Sequence, residues 1–474
     1  MSEPRLLLSF FFALLFFVCG GWLELASADQ SRLRLLDEIR FAIDRYTKLK
    51  DGAKELAIII GEAQNREPIF QYGNLNKPLK PASTLKVLTS YATLKKRGAA
   101  STLKTFIEHN RQEDTLILRG EPDPTFTSER VFMLARQIAA RGIKQVKKIV
   151  LDLSNLSGYV AKPSGGRAYQ GAIGNFALNY GAVKIDLCPE PSTNRVLIGI
   201  EPRETFLQIV GKIDLVKTAK FAYEVGQIEE TNPWRLKVSG SLGQNSSCFE
   251  VYRSAPNPAK LFCDFFSTRL VAEGVALVGS KCLIGNYPDL TGTSVLLSYS
   301  KPLAEIVRDM NIYSSNFIAD MLVLGVGDDG QRRNFNFQEG LNQIKQFALA
   351  NTAFPEDALL LVDGSGLSHD NGIYPLLLFE TLKRVAVDPD LGVEFLSSLP
   401  RSAESGTLKS RKFKKAGGAF RGKTGRINGV SALAGIVKGN NRDLFLLILQ
   451  NGVNNEAVAH KFEETIVDRL VGID

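Results

Sequence analysis

The segment Lys80-Pro81-Ala82-Ser83-Thr84-Leu85-Lys86 ends a turn-rich stretch and opens a run, Ala82 to Lys96, in which apolar residues recur at helical spacing until Gly98 stops it. Ser83 is thereby placed at a helix N-terminus. A serine and a lysine three apart share one helix face, so the Lys86 amine can reach the Ser83 hydroxyl and take its proton, provided that neighbours depress the amine's pKa. Taken alone, the same residues suit an N-cap serine beside a solvated lysine. Two distant segments change that balance. Ser314-Ser315-Asn316 lies within a helical pattern from Pro302 to Leu324, where Ser314 and Asn316 can point from a helix end or loop into a cleft, and Lys423-Thr424-Gly425 precedes Gly429 to Ile436, whose small and β-branched residues suit a strand edge that a substrate backbone can approach.

Outward from Ser83, the chain reads as two textures. Arg32 to Lys50 has helical periodicity and ends at Asp51-Gly52, and Leu56 to Ile60 reads as a buried strand. From about Ala99 to Leu290 short strand-like runs dominate, among them Thr115 to Leu118, Lys148 to Leu153, Val183 to Leu187 and Val196 to Ile200. Lys162 to Gly166 and Asn232-Pro233 are turn signals compatible with the limits of a nested module. The last segments, Val430 to Val437, Leu444 to Asn451 and Glu456 to Val471, read strand, strand, helix.

With 474 residues, 44% hydrophobic and 23% charged, the chain is neither disordered nor fibrous, and its length predicts two to four domains. The net charge of +8 is spread along the sequence and forms no nucleic-acid stripe, so no nucleic-acid partner is expected. Residues 1–28 carry Arg5, an apolar run from Leu6 to Val18 and then Ala26-Ser27-Ala28, which predicts an export signal cleaved before Asp29. No later segment is apolar over a spanning length, so no membrane span is expected after cleavage. Cys188, Cys248, Cys263 and Cys282 then leave two possibilities open, disulfides or buried free thiols. Without Cys-x-x-Cys spacing and with His109, His369 and His460 scattered, neither a metal nor any other cofactor is expected.

Ser-x-x-Lys, a Ser-x-Asn segment and Lys-Thr-Gly, in this order, resemble the signature of penicillin-recognising serine enzymes. The flanks Asp123-Pro124-Thr125, Arg308-Asp309-Met310-Asn311, Asp363-Gly364-Ser365-Gly366-Leu367-Ser368 and Ser405-Gly406-Thr407-Leu408 are similar to those of class C low-molecular-mass penicillin-binding proteins, the D-alanyl-D-alanine carboxypeptidase/endopeptidase family. Ser314 follows Lys86 by 228 positions, a separation that resembles that family's large insertion and exceeds what a β-lactamase needs. The resemblance implies an α/β fold: a penicillin-binding-protein/β-lactamase-like transpeptidase domain, with an antiparallel sheet flanked by helices plus an all-helical lobe, carrying inserted β-rich domains. The expected organisation is a peptidase domain over 29–98 and 291–474, an inserted domain over 99–165 and 240–290, and a nested β-rich domain over 166–239.

It further implies a serine D,D-carboxypeptidase and/or endopeptidase acting on peptidoglycan stem peptides through an acyl-enzyme in the bacterial periplasm or cell wall, with β-lactams as inhibitors. Ser83 is then the nucleophile and Lys86 the base. Ser314 and Asn316 relay protons and hold the substrate amide, and Lys423, Thr424 and Gly425 meet the terminal carboxylate. Asp152 resembles an acidic residue that meets the stem-peptide amine, and Leu367 and His369 are expected at the substrate side chain. The sequence departs from the family at Arg426, where Thr or Ser usually follows Lys-Thr-Gly, and at His369, where Arg is usual. Arg426 either strengthens carboxylate binding or blocks the groove. The alternatives are a catalytically weakened wall-binding homologue with Arg426 in the carboxylate pocket, or a secreted β-lactamase or esterase.

Overall fold

The five apolar residues Leu56 to Ile60 form the centre of strand β1 (Glu55–Glu62), buried on both faces. Ala57 and Ile59 face one core and Leu56, Ile58 and Ile60 the other, the period-two alternation of a strand between two layers. The computed structural model describes residues 33–471 except 63, 64, 66, 158–165, 204–206, 218–221, 329–333, 351 and 440–442. The expected export signal, 1–28, lies outside the described residues, as does most of the Lys162 to Gly166 signal. Among the described residues no helix is long and apolar enough to cross a membrane.

Helix α1 (33–47) precedes β1, and β2 (Phe70–Tyr72) and α2 (Lys86–Arg97) follow it. The chain then leaves for the insertion. Strands β3 (Lys104–Asn110), β4 (Thr115–Gly120) and β5 (Gln145–Asp152), with helix α3 (Ser128–Ala140) between the last two, begin a mixed sheet. Strands β6 (Ala182–Glu190), β7 (Arg195–Glu201), β8 (Leu207–Gly211), β9 (Asp214–Val216), β10 (Ala222–Glu229), β11 (Trp234–Gly243) and β12 (Phe249–Ser254) build the nested part. Helix α4 (Pro258–Ala272) and strands β13 (Ala276–Gly285) and β14 (Thr293–Tyr299) return to the first sheet, whose order is β13-β5-β4-β3-β14.

This pairing moves two expected limits. Strand β14 pairs with β3, so the inserted sheet runs to Tyr299 and not to 290. Strand β11 pairs with β10, and β12 with β6, so the nested strands reach Ser254 and not 239. In each case a ladder partner outweighs the local turn signal. Cysteine pairing is settled as well: Cys188 joins Cys248, and Cys263 on α4 joins Cys282 on β13.

After the insertion, α5 (Leu303–Tyr313), α6 (Asn316–Val326), α7 (Phe337–Leu349), α8 (Pro375–Ala386) and α9 (Gly392–Ser398) form a helical lobe, with a small hairpin of β15 (Leu359–Leu360) and β16 (Gly372–Ile373). Strands β17 (Phe420–Ile427), β18 (Val430–Lys438) and β19 (Asp443–Asn451) then join β1 in the sheet order β17-β18-β19-β1-β2, and α10 (Glu456–Leu470) closes the chain. Helices α1 and α10 cover one face, with Tyr46 stacked on Phe462, while α2 and α8 cover the other. The edge strand is β17, which carries Lys423, whereas Gly429 to Ile436 lies one strand inward, because Gly429 (φ +72°) turns the chain back on itself.

Candidate active site

Ser83 lies in a 3₁₀ turn, Ala82–Leu85, that leads directly into α2. In 3₁₀ geometry residues i and i+3 eclipse, so Lys86 stands directly over Ser83. Its Nζ donates to Ser83 Oγ at 2.9 Å, to Asn316 Oδ1 at 2.8 Å and to the Ser365 carbonyl at 2.7 Å. The turn is entered through Ala82 at φ +46°, a conformation uncommon for a residue with a Cβ and found where structure is held against strain. Gly366 (φ +78°) lies against it so closely that a Cβ there would be 1.8 Å from the Ala82 carbonyl oxygen. Gly425 does the same from the sheet side, since a Cβ there would be 2.9 Å from the Pro81 oxygen and 3.1 Å from the Ala82 Cβ. Two glycines thus let a loop and the edge strand close on the Ser83 turn.

The expected helix from Pro302 to Leu324 is two helices. Ser314 caps α5 in the left-handed region (φ +55°), and Ser315 caps α6 by accepting from the Ile318 N–H at 3.2 Å. This corner divides the motif between two partners. Asn316 faces Lys86, whereas Ser314 accepts from Lys423 Nζ at 2.9 Å, and Lys423 also donates to the Thr424 carbonyl. Asn311, fully buried on α5, donates to Ser90 and Ser398, tying the corner to α2 and α9.

Both lysines are fully enclosed, at 0% exposure. Burial pulls the Lys86 pKa down to about 7 against the upward pull of Asp320 and Asp363. Burial, and then the charge of Lys86, pulls Lys423 well below its ordinary value. A neutral Lys86 amine keeps two N–H bonds, which Asn316 and Ser365 accept. Its lone pair then falls on the third direction, toward Ser83 Oγ. The arrangement can deprotonate a hydroxyl at neutral pH.

The sequence reading missed the residues behind the base. Asp320, one turn beyond Asn316 on α6, accepts from the Gly364 N–H at 3.0 Å. Burial and the Asp363 charge push its carboxyl up to about 8. Asp363 itself gathers the N–H groups of Ser365, Gly366, Leu367 and Ser368, shaping the loop whose Ser365 carbonyl holds Lys86. The i,i+4 spacing of Asn316 and Asp320 was a visible signal for this role. Thr407, present in the sequence only as part of a flanking motif, joins them: its hydroxyl accepts from Thr424 Oγ1 at 2.7 Å.

The remaining expected residues are dispersed. Arg426 is 64% exposed and pairs with Glu456 at 3.1 Å. Leu367 is half-buried on the Asp363 loop, and His369 is exposed. Asp152 is engaged within the protein itself. It sits at the end of β5 inside the inserted module, its side chain at 0% exposure, bonded to Arg119 Nε at 2.6 Å and to the N–H groups of Ser154 and Tyr287. Burial raises its pKa, but the Tyr287 and Ser154 N–H groups and Arg119 together outweigh burial and hold it below the usual range. Three of the carboxylate's roughly four lone-pair directions are thus taken within the inserted module.

Over residues 40–471 the chain matches the family described as D-Ala-D-Ala carboxypeptidase 3 (S13). It is 26% identical to the D-alanyl-D-alanine carboxypeptidase of Actinomadura sp. (strain R39), over 91% of this chain and 84% of the relative. The crystal structure of penicillin binding protein 4 from Haemophilus influenzae has the same fold, with a TM-score of 0.76 at 22% identity over 90% of this chain and 99% of the other. The structure of that protein complexed with a β-lactam superposes with a TM-score of 0.73 over 91% and 99%.

Proposed function

The chain belongs to the D-Ala-D-Ala carboxypeptidase 3 (S13) family, and on that premise we propose that it is a serine-type D-alanyl-D-alanine carboxypeptidase and/or endopeptidase acting on peptidoglycan stem peptides through an acyl-enzyme. The observation that carries this reading is the 2.9 Å contact between Lys86 Nζ and Ser83 Oγ inside one pocket with the Ser314–Lys423 pair. Lys86 takes the Ser83 proton as Oγ bonds to the carbonyl carbon of the penultimate D-alanine. The C–N bond then breaks, the leaving amine takes a proton by way of Ser314 and Lys423, and water later cleaves the ester. Asn316 orients both Lys86 and the substrate amide, and Lys423 and Thr424 meet the terminal carboxylate.

β-Lactams inhibit by acylating Ser83, a reading supported by the β-lactam complex of the Haemophilus influenzae relative. The enzyme works outside the cytoplasmic membrane, in the periplasm or wall, after loss of residues 1–28. The surface pairing of Arg426 with Glu456 supports this reading over a wall-binding homologue with Arg426 in the carboxylate pocket. Purified protein incubated with a D-Ala-D-Ala pentapeptide and a cross-linked stem dimer should release D-alanine, monomer or both. Fluorescent penicillin should label wild type and leave Ser83→Ala unlabelled; equal labelling of the two rejects the nucleophile.

A further inference from the structure

Arg426 stands two residues beyond Thr424 on the edge strand, and its guanidinium is committed to Glu456 at the surface. The carboxylate end of the cleft therefore depends on hydroxyls and on Lys423. Thr424 Oγ1 donates to Thr407 Oγ1 at 2.7 Å. Two hydroxyls carry two protons, and one contact between them uses one. Among the described residues no acceptor takes the Thr407 proton, and Thr407 is half-buried.

Thr407 is also held in place. It is the middle residue of a 3₁₀ turn, Gly406–Leu408, whose Leu408 is fully buried under the main sheet. On its other side Gly406 (φ +53°) presses on α5, where a Cβ would lie 2.5 Å from the Ile312 carbonyl oxygen. Ile312 is two residues before Ser314. The turn is thus wedged between the corner that carries Ser314 and the strand that carries Lys423 and Thr424, with a spare O–H donor at the junction.

We infer that Thr407 is a second hydroxyl ligand for the substrate's terminal α-carboxylate, working beside Thr424 and the Lys423 amine in the place that Arg426 leaves unfilled. A carboxylate has about four lone-pair directions and draws hydroxyl donors more strongly than a neutral amide does. Its negative charge also favours the protonated form of Lys423 and so completes the site. The ligand class is a peptide or β-lactam with a free carboxylate next to the scissile amide. This rests on the peptidase reading of the cleft.

The test compares acylation by benzylpenicillin with acylation by its methyl ester, in which the carboxylate is masked. The acid-to-ester rate ratio in Thr407→Val should fall about tenfold or more relative to wild type. Thr407→Ser, which restores the hydroxyl, should recover it. KM for a D-Ala-D-Ala peptide should rise in the valine variant more than kcat falls. If Thr407→Val slows acid and ester by the same factor, the residue is only structural and the inference is overturned. Should wild type react with neither compound and release no D-alanine, the peptidase reading itself fails, a result distinct from an unchanged ratio.

Discussion

The Lys86 amine lies 2.9 Å from the Ser83 hydroxyl, with its other two directions taken by Asn316 Oδ1 and the Ser365 carbonyl. Neither of those acceptors can give a proton back in its ordinary form, so proton traffic at Lys86 is directed at Ser83.

Acylation requires neutral Lys86, whose pKa burial lowers to about 7. Below that value the amine is protonated and cannot accept from Ser83, so kcat/KM should fall about tenfold per pH unit as pH drops. A penicillin acylation profile from pH 5 to pH 9 measures this. A flat acid limb would contradict the assignment.

With its carboxyl pushed up to about 8, Asp320 is protonated across the acid limb, and Asp320→Asn keeps both that neutral state and an acceptor for the Gly364 N–H. The acid limb should therefore stay where it is in wild type. Asp320→Leu loses the acceptor, frees the Ser365 carbonyl from its register and should reduce kcat at every pH. The two pH–rate profiles separate charge from position.

Gly366→Ala would place a methyl group 1.8 Å from the Ala82 oxygen at a φ of +78°. The Ser83 turn must then shift, and a displacement of about 1 Å costs on the order of a hundredfold in rate. Stopped-flow acylation of the variant should show that loss with the far-ultraviolet circular dichroism of wild type.

Asp152, enclosed, and Arg119, a quarter exposed, form an ion pair in the inserted sheet. Asp152→Ala should lower stability by roughly 1–3 kcal/mol, since it leaves the Ser154 and Tyr287 N–H groups without their acceptor. Denaturant titration reads the stability, and KM for stem peptides with and without a side-chain amine should respond equally. An effect confined to amine-bearing peptides would restore Asp152 to the substrate site.

What the sequence by itself determined was local. Ser83 and Lys86 are three residues apart on one turn, and backbone geometry alone brings them within reach. The apolar run Leu56 to Ile60 reads as a buried strand, and the long gap before Ser314 resembles the family's insertion. Everything that depends on distant packing was decided by the tertiary structure. Ladder partners, not turn signals, placed β12 and β14 in their sheets. The same arginine-bearing strand could present Arg426 to the cleft or to Glu456, and only the position of α10 chose the latter. Asp152 has the composition of a ligand, yet Arg119, 33 residues earlier, is what it meets. Asp320 and Thr407 gain meaning only where α6, the Asp363 loop and the edge strand converge, because a side chain's chemistry follows from what surrounds it.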